Sequence, residues 1–305
     1  MIECIYVAAS ARDARYTRIC VASVRYFYPD VAIKLLAGGP LERGLADELR
    51  YYWNVGMADL PTGDYGWGFV KLEPLFGPRG ERFLVLDSDT VMAGPVLDLC
   101  SGDDAPFLVD DETQSEADTR RLYYDWRLVS QIDAEAQPPR FVFNSGQWLG
   151  TAGLLGREDF GPWLEWTMPR RLRYPAIFKQ GDQGVFNYTV NQKAALASLN
   201  VRRRKIMRWP GHGMDGISAT SVADRTAPPL VVHWAGMKKP RLGDMTGADL
   251  LQFFEKRYFQ SLPAGSVRRV VAGPRHMLSE RLRGVQIRAR MALSRVAAPA
   301  LRRVW

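Results

Sequence analysis

Residues 83–94 read FLVLDSDTVMAG. Phe83, Leu84, Val85 and Leu86 form an unbroken apolar run, and two aspartates one residue apart, Asp87 and Asp89, follow at once. A run of this kind is what a strand buried on both faces of a parallel sheet looks like. In open α/β sheets, ligands gather at the carboxyl ends of the strands, which is where the two aspartates fall. Two carboxylates so close repel one another unless something positive lies between them. A hard divalent cation with oxygen ligands is the simplest answer, and such a cation commonly bridges to phosphate oxygens. The tripeptide Asp-Ser-Asp is also an ordinary turn sequence; the buried strand ahead of it is what favours a metal site.

The flanking sequence supplies a sheet for this strand. Residues 2–9 read as a buried strand and residues 16–28 as a helix with apolar positions near a 3.6-residue spacing. Residues 31–37 read as a second strand, and Gly38, Gly39 and Pro40 as a turn. Strand, helix, strand at this spacing is a βαβ unit, so the fold class is α/β with a Rossmann-like, mostly parallel sheet flanked by helices. Further helices are expected at 41–53, 67–76 and 158–168, in the first half of 182–196 and at 248–259. Further strands are expected at 141–142, 146–149 and 230–233. Residues 110–140, acidic then polar and closed by Pro138 and Pro139, read as an excursion over the surface.

Composition bounds the rest. The 305 residues suit one large domain or two modest ones. Apolar content of 47% and charged content of 24% are those of an ordinary globular chain. No apolar run reaches membrane-spanning length, and MIECIYVAAS lacks a basic n-region, so neither a spanning helix nor a signal peptide is expected. Cys4, Cys20 and Cys100 show no metal-ligand spacing and read as free buried thiols in a reducing cytoplasm. The net charge of +8 is uneven: ten arginines and a single acid, Glu280, follow residue 260, which leaves the body close to neutral.

Three more stretches extend the metal reading: FNSG at 143–146, GDQGVFN at 181–187 and VVHWAGMKKP at 231–240. With FVKLEPLF at 69–76 ahead of the D-x-D strand, their order and spacing resemble glycosyltransferase family 8, in particular its glycogenin-like branch. The resemblance covers residues 1–255 with a gap at 110–140. It implies a retaining, metal-dependent GT-A fold enzyme that moves a hexose, glucose or galactose, from a UDP-sugar to a glycan or lipid-linked acceptor. It implies metal ligation by Asp87, Asp89 and His233, and an imidazole ligand suits Mn²⁺ better than the alternative, Mg²⁺. Donor contacts are implied for Lys71, Asp87, Ser88, Asn144, Ser145, Gly236 and Lys239. The last two fit a backbone approach to the diphosphate and the neutralisation of its charge as the glycosidic bond breaks. Asp182 and Gln183 match the pair lining the reacting region of the sugar, and Asp182 is also a candidate helix N-cap. A retaining reaction through a covalent intermediate would need a carboxylate nucleophile, for which Asp182 is the one candidate. Attack on the face from which the leaving group departs is the favoured route.

Two departures from the family pattern stand out. Arg241 follows the Lys-Pro where family members often carry Trp. The first strand ends VAAS rather than in an Asp, so reading of the base falls to Ala8 with Ser10 or Asp13, and the sequence does not choose between the last two. Tyr123 and Tyr124 are candidate self-glycosylation acceptors of low standing. VRRRK at 201–205 reads as a solvated loop.

From Leu278 the apolar positions Leu282, Val285, Ala289 and Val296 trace one helix face among arginines. The chain divides accordingly into a catalytic domain, 1–260, and a basic amphipathic segment, 261–305. Residues 265–305 suit an anionic membrane surface at the inner face, ahead of a helix packed on the catalytic domain with a solvated basic face, and ahead of nucleic acid. Two rivals are kept. One is an inverting transferase with Asp110 or Asp111 as base; the other is a catalytically silent relative that binds a nucleotide sugar or a membrane.

Overall fold

The computed structural model describes residues 2–66, 68–100, 105–239, 241–274, 278 and 285. The tail helix expected from Leu278 onward therefore lies outside the described residues, except at Leu278 and Val285.

The chain opens with β1 (Cys4–Ala9), α1 (Ala14–Phe27), β2 (Ala32–Ala37), α2 (Leu45–Trp53) and β3 (Val55–Met57). β1 pairs in parallel with β2, and β2 with β3, as the βαβ reading requires. The D-x-D strand is β4 (Arg82–Asp87), and after a two-residue turn β5 (Thr90–Met92) follows. Next come β6 (Phe107–Asp110), α3 (Glu116–Leu122), α4 (Trp126–Val129) and β7 (Gln147–Thr151). A short stretch holds α5 (Arg157–Phe160), β8 (Leu164–Glu165) and β9 (Arg171–Leu172), and leads to α6 (Asp182–Ala195). β10 (Val201–Arg204), β11 (Met207–Arg208), α7 (Ala219–Ala223), β12 (Val231–His233) and α8 (Ala248–Gln260) complete the set.

The main sheet has seven strands in the order β10-β6-β7-β4-β1-β2-β3. β7 runs antiparallel to both its neighbours, and the other pairings are parallel. This reversal places the segment before β7, Asn144 to Gly146, at the same sheet end as the carboxyl terminus of β4. The backbone fixes the contact, since Asp87 N–H donates to the Gly146 carbonyl at 2.7 Å. A second, three-stranded sheet, β11-β12-β5, crosses the same end and sets His233 opposite Thr90.

Side chains of β4 alternate between two cores. Leu84 and Leu86 join the layer of α1 and α8, whereas Phe83 and Val85 join the layer of Trp148 and Phe186. All four are almost fully buried. Each such burial contributes roughly 1.5–3 kcal/mol, enough to hold a strand whose end presents two carboxylates. The three cysteines are buried and unbridged.

Several expected elements differ. Residues 69–76 form a 3-10 helix rather than an α-helix, with Pro74 inside it; Pro74 has no N–H to give. Residues 158–168 hold only the end of a four-residue helix before a two-strand hairpin, because Gly161 and Pro162 interrupt the turn. α6 runs through Ala195, beyond the half that was expected. The 110–140 excursion is not purely superficial: it begins on β6 and buries Tyr123, Tyr124 and Val129 in the second core. Residues 201–204 are an edge strand, not a loop, with Arg203 paired to Asp111 and Lys205 to Asp110.

Candidate active site

β4 ends on Asp87, and the turn of Ser88 and Asp89 is braced from both sides. Thr90 Oγ1 donates to the Asp87 carbonyl at 2.7 Å, and Trp234 N–H donates to the Asp89 carbonyl at 3.0 Å. The second bond is the register by which β12 delivers His233. Its Nε2 lies 3.2 Å from Asp89 Oδ1 and 3.7 Å from Asp87 Oδ2. The ring is 1% exposed and stacks on Trp209, with centroids 5.4 Å apart and an interplanar angle of 18°.

A metal ion suits this group. Ligand atoms of Asp87, Asp89 and His233 lie within 4.8 Å of one another, and both ring nitrogens of His233 are buried with no hydrogen-bond partner among the described residues. An orphaned, buried imidazole nitrogen is costly unless a ligand satisfies it. Two carboxylates and an imidazole are a donor set for Mn²⁺-like ions. Gly146 keeps the space open, since a Cβ there would stand 2.2 Å from His233 Cε1 and 2.8 Å from Asp87 Oδ2.

Beside the group lies an ion-pair cluster. Lys71, at 4% exposure, places Nζ 3.1 Å from Asp87 Oδ1 and 3.2 Å from Asp182 Oδ2. It also donates to the Ser145 carbonyl and hydroxyl at 3.1 and 3.2 Å. Burial pulls the Lys71 ammonium down, but Asp182 and Asp87 together outweigh it and hold the pKa above its ordinary value. Burial raises Asp182, with Lys71 opposing and Asp87 adding to the rise. Asp182 is the first residue of α6 and makes no capping bond; Gly181 occupies the N-cap position. That displaces the N-cap reading: the Asp182 carboxylate turns to Lys71, not to its own helix. Gln183 accepts from Ser145 N–H at 3.3 Å and donates to the Leu122 carbonyl at 3.0 Å. Asn144 accepts from Gly146 N–H at 2.7 Å.

The residues expected to read the nucleoside are close by. Ala8 is paired with Asp87 across β1 and β4. Ser10 donates to Asp13 Oδ2 at 2.9 Å, and Asp13 Oδ1 holds Lys238 at 2.6 Å. Lys238 also lies 3.0 Å from Asp89 Oδ2. Burial pushes Asp89 up, yet Lys238 and His233 together hold it well below the usual carboxylate range. Gly236 has φ +70° and sits exposed in the loop after β12. Lys239 is exposed and donates to the Asp244 carbonyl at 2.6 Å, outside the cluster.

The structure thus brings together Lys71, Asp87, Ser88, Asp89, Asn144, Ser145, Asp182, Gln183 and His233, and joins Ser10 and Asp13 to them through Lys238. Sequence reasoning passed over Lys238 in favour of its neighbour, and it missed Gly68 and Trp209. Gly68 has φ +82°, and a Cβ there would stand 1.9 Å from Asp182 Oδ1. A Trp five residues past an arginine-rich strand carries no signal of its own, but the Gly-x-Gly at 66–68, directly before the motif of Lys71, could have marked a tight backbone approach.

Asp110 is fully buried and accepts from Ile206 N–H, Met207 N–H and Lys205 Nζ at 2.8–2.9 Å. A carboxylate so committed is a structural staple and a poor general base. Tyr123 and Tyr124 are buried, and the Tyr123 hydroxyl donates to Glu112, so neither offers a surface acceptor.

No protein-family model matches the chain, and no curated protein matches it. Solved structures do. The galactosyltransferase LgtC, solved in complex with donor and acceptor sugar analogs, superposes with a TM-score of 0.51 over 87% of this chain and 99% of its own, at 16% identity. The bifunctional glycosyltransferase WbbM gives 0.53 over 84% of this chain and 49% of its own, at 14% identity. The glycosyltransferase GlyE of Streptococcus pneumoniae TIGR4 gives 0.52 over 88% and 63%, at 17% identity. The fold is the GT-A fold. At these identities the likeness speaks to architecture, and the chemistry has to be argued from the residues.

Proposed function

We propose that this chain is a retaining, metal-dependent glycosyltransferase of the family 8 type. It would move a hexose, glucose or galactose, from a UDP-sugar to a glycan or lipid-linked acceptor. The observation that carries the reading is the meeting of Asp87, Asp89 and His233 at the carboxyl end of β4, with the Lys71–Asp182 pair alongside. The GT-A fold, shared with LgtC, WbbM and GlyE, supports it.

A divalent cation, Mn²⁺ before Mg²⁺, would be held by the two aspartates and the imidazole and would neutralise charge on the leaving diphosphate. Lys71 sits where it can orient the donor while bridging Asp87 and Asp182. Asn144 and Ser145 supply donors and acceptors for sugar hydroxyls. Asp182 makes a poor nucleophile, because Lys71 holds its Oδ2 at 3.2 Å. Gln183 is fixed at both ends of its amide and suits the stabilisation of positive charge on the sugar ring. One solved form of LgtC is an active-site variant with Gln replaced by Glu; Gln183 is the glutamine proposed for that place here. These features favour attack on the face from which the diphosphate leaves, with the diphosphate helping to deprotonate the acceptor. Residues 265–305 are the proposed contact with an anionic membrane at its inner face.

The deciding experiment titrates UDP-sugars by calorimetry with and without Mn²⁺, on the native protein and Asp89→Asn. Metal-dependent binding that is lost in Asp89→Asn is expected. Binding indifferent to both metal and substitution would leave the D-x-D as a turn and end the transferase reading. Product anomer analysis tests retention, and a sugar trapped covalently on Asp182 would overturn same-face attack.

A further inference from the structure

The Lys238 ammonium has a built seat. Asp13 Oδ1 lies at 2.6 Å, Asp89 Oδ2 at 3.0 Å, and the Tyr16 ring at 5.1 Å from Nζ to centroid. Its side chain is 12% exposed. The loop that carries it is rooted in the site. Trp234 N–H donates to the Asp89 carbonyl at 3.0 Å, the Trp234 indole donates to the Thr246 carbonyl at 2.8 Å, and Gly236 turns the backbone through φ +70°. Next to it, Lys239 is exposed and occupied by the Asp244 carbonyl. Two adjacent lysines therefore face different tasks, and it is the first that reaches a metal-ligand candidate.

The two oxygens of Asp89 are divided. Oδ1 faces His233 Nε2 at 3.2 Å, and Oδ2 is held by Lys238. A cation seated among Asp87, Asp89 and His233 would meet a single Asp89 oxygen and would stand close to a fixed ammonium. Like charges at such separations in a buried site repel strongly, and a carboxylate that offers one oxygen binds a divalent ion less well than one that offers two. Ligand charge count tunes the affinity of such sites.

We infer that Lys238 is a positioning residue that contests Asp89 with the cation, so that cation binding is weak alone and strengthens when a nucleoside diphosphate supplies further oxygen ligands. The inference rests on the reading of Asp87, Asp89 and His233 as a cation site. Asp13 is the second half of the device. It shares Lys238 with Asp89, and its loss would leave the ammonium to Asp89 alone.

The test measures free Mn²⁺ by electron paramagnetic resonance, with and without UDP, on the native chain, Lys238→Met, Lys256→Met, Asp13→Asn and Asp89→Asn. Lys238→Met is expected to bind Mn²⁺ alone about tenfold more tightly, and to lose most of the enhancement that UDP gives the native chain, which at ordinary coupling strengths is about 5–150-fold. Asp13→Asn should move in the opposite direction and bind Mn²⁺ alone more weakly. Lys256→Met removes the same charge from the exposed face of α8 and should leave Mn²⁺ binding alone unchanged. Equal effects of the two lysine variants, or weaker binding in Lys238→Met, would overturn the inference. If Lys238→Met does not fold, Asp13→Asn decides, and unchanged or tighter binding there overturns it. Full Mn²⁺ binding in Asp89→Asn would instead sink the cation reading itself.

Discussion

At the scale of single residues, Lys71 is the keystone of the charge arrangement. It is the buried cation between Asp87 and Asp182. Removing one member of a buried pair strands the other charge, at a cost of about 3–5 kcal/mol. Lys71→Met is therefore expected to lower the unfolding free energy by that much, read as a lower urea midpoint at an unchanged m-value. Lys71→Met with Asp182→Asn should recover part of the loss, because the two sites share one interaction. Equal loss in the single and double variants would count against the pair. The sequence pointed to Lys71 through the FVKLEPLF motif, and its Gly-x-Gly could mark a tight backbone there but not that Gly68 is needed twice over. Its backbone is left-handed, and its missing Cβ makes room for Asp182 Oδ1. What stands against a glycine is a tertiary fact, which residue types in a line do not carry. Gly68→Ala is accordingly expected to destabilise the chain and to disturb the Lys71–Asp182 pair together, read as a lower melting temperature and a weaker response to Asp182→Asn.

At the scale of elements, α6 docks by polar rungs as well as by the buried Val185, Phe186, Tyr188 and Val190. Asn187 accepts from Phe143 N–H and donates to the Phe143 carbonyl, each at 2.9 Å. Asn191, one turn on, accepts from Arg140 N–H at 2.9 Å and donates to the Phe141 carbonyl at 2.9 Å. The helix thus pairs with an extended segment as a neighbouring strand would, and it fixes the backbone that carries Asn144 and Ser145. Asn187→Ala strands two buried backbone groups at about 1–3 kcal/mol each. A matching fall in chemical stability, with faster amide exchange at Phe143, is the expected outcome. This explains why α6 was only half legible: asparagines inside a helix argue against it on propensity, and here tertiary bonding overrides that preference. α1 was legible by its 3.6-residue spacing, and β1, β2 and β4 by short apolar runs bounded by turns or charges. Residues 158–168 were misread because the spacing of Phe160, Trp163, Leu164 and Trp166 mimics a helix, while Gly161 and Pro162 decide otherwise.

For the whole molecule, the two sheets meet at one end, and the site forms where a reversed strand and a crossing sheet converge on β4. The order of the motifs anticipated that convergence. The reversal of β7, which brings the Asn144–Ser145 segment to Asp87, could be seen only in the assembled sheet. The start of the basic tail lies against α2 and α8. Residues 265–274 are helical, Arg268 pairs with Glu48 of α2 at 3.4 Å, and Arg269 pairs with Glu255 of α8 at 3.3 Å. These pairs leave Val267 and Val270 facing outward at 65% and 74% exposure. Among the described residues no helix is long and apolar enough to cross a membrane. Deletion of residues 265–305 is expected to abolish binding to anionic liposomes, to spare donor hydrolysis, and to change stability by no more than about 1 kcal/mol, the scale of exposed ion pairs. Liposome binding that survives the deletion would remove the tail from the membrane reading.

The stack of Trp209 on His233 gives the site its own optical reporter. An indole whose centroid lies 5.4 Å from that of a candidate ligand imidazole is close enough for a paramagnetic ion to quench its emission. The difference spectrum between the native chain and Trp209→Phe isolates that signal from the other tryptophans, so occupancy of the site can be followed in real time without a label.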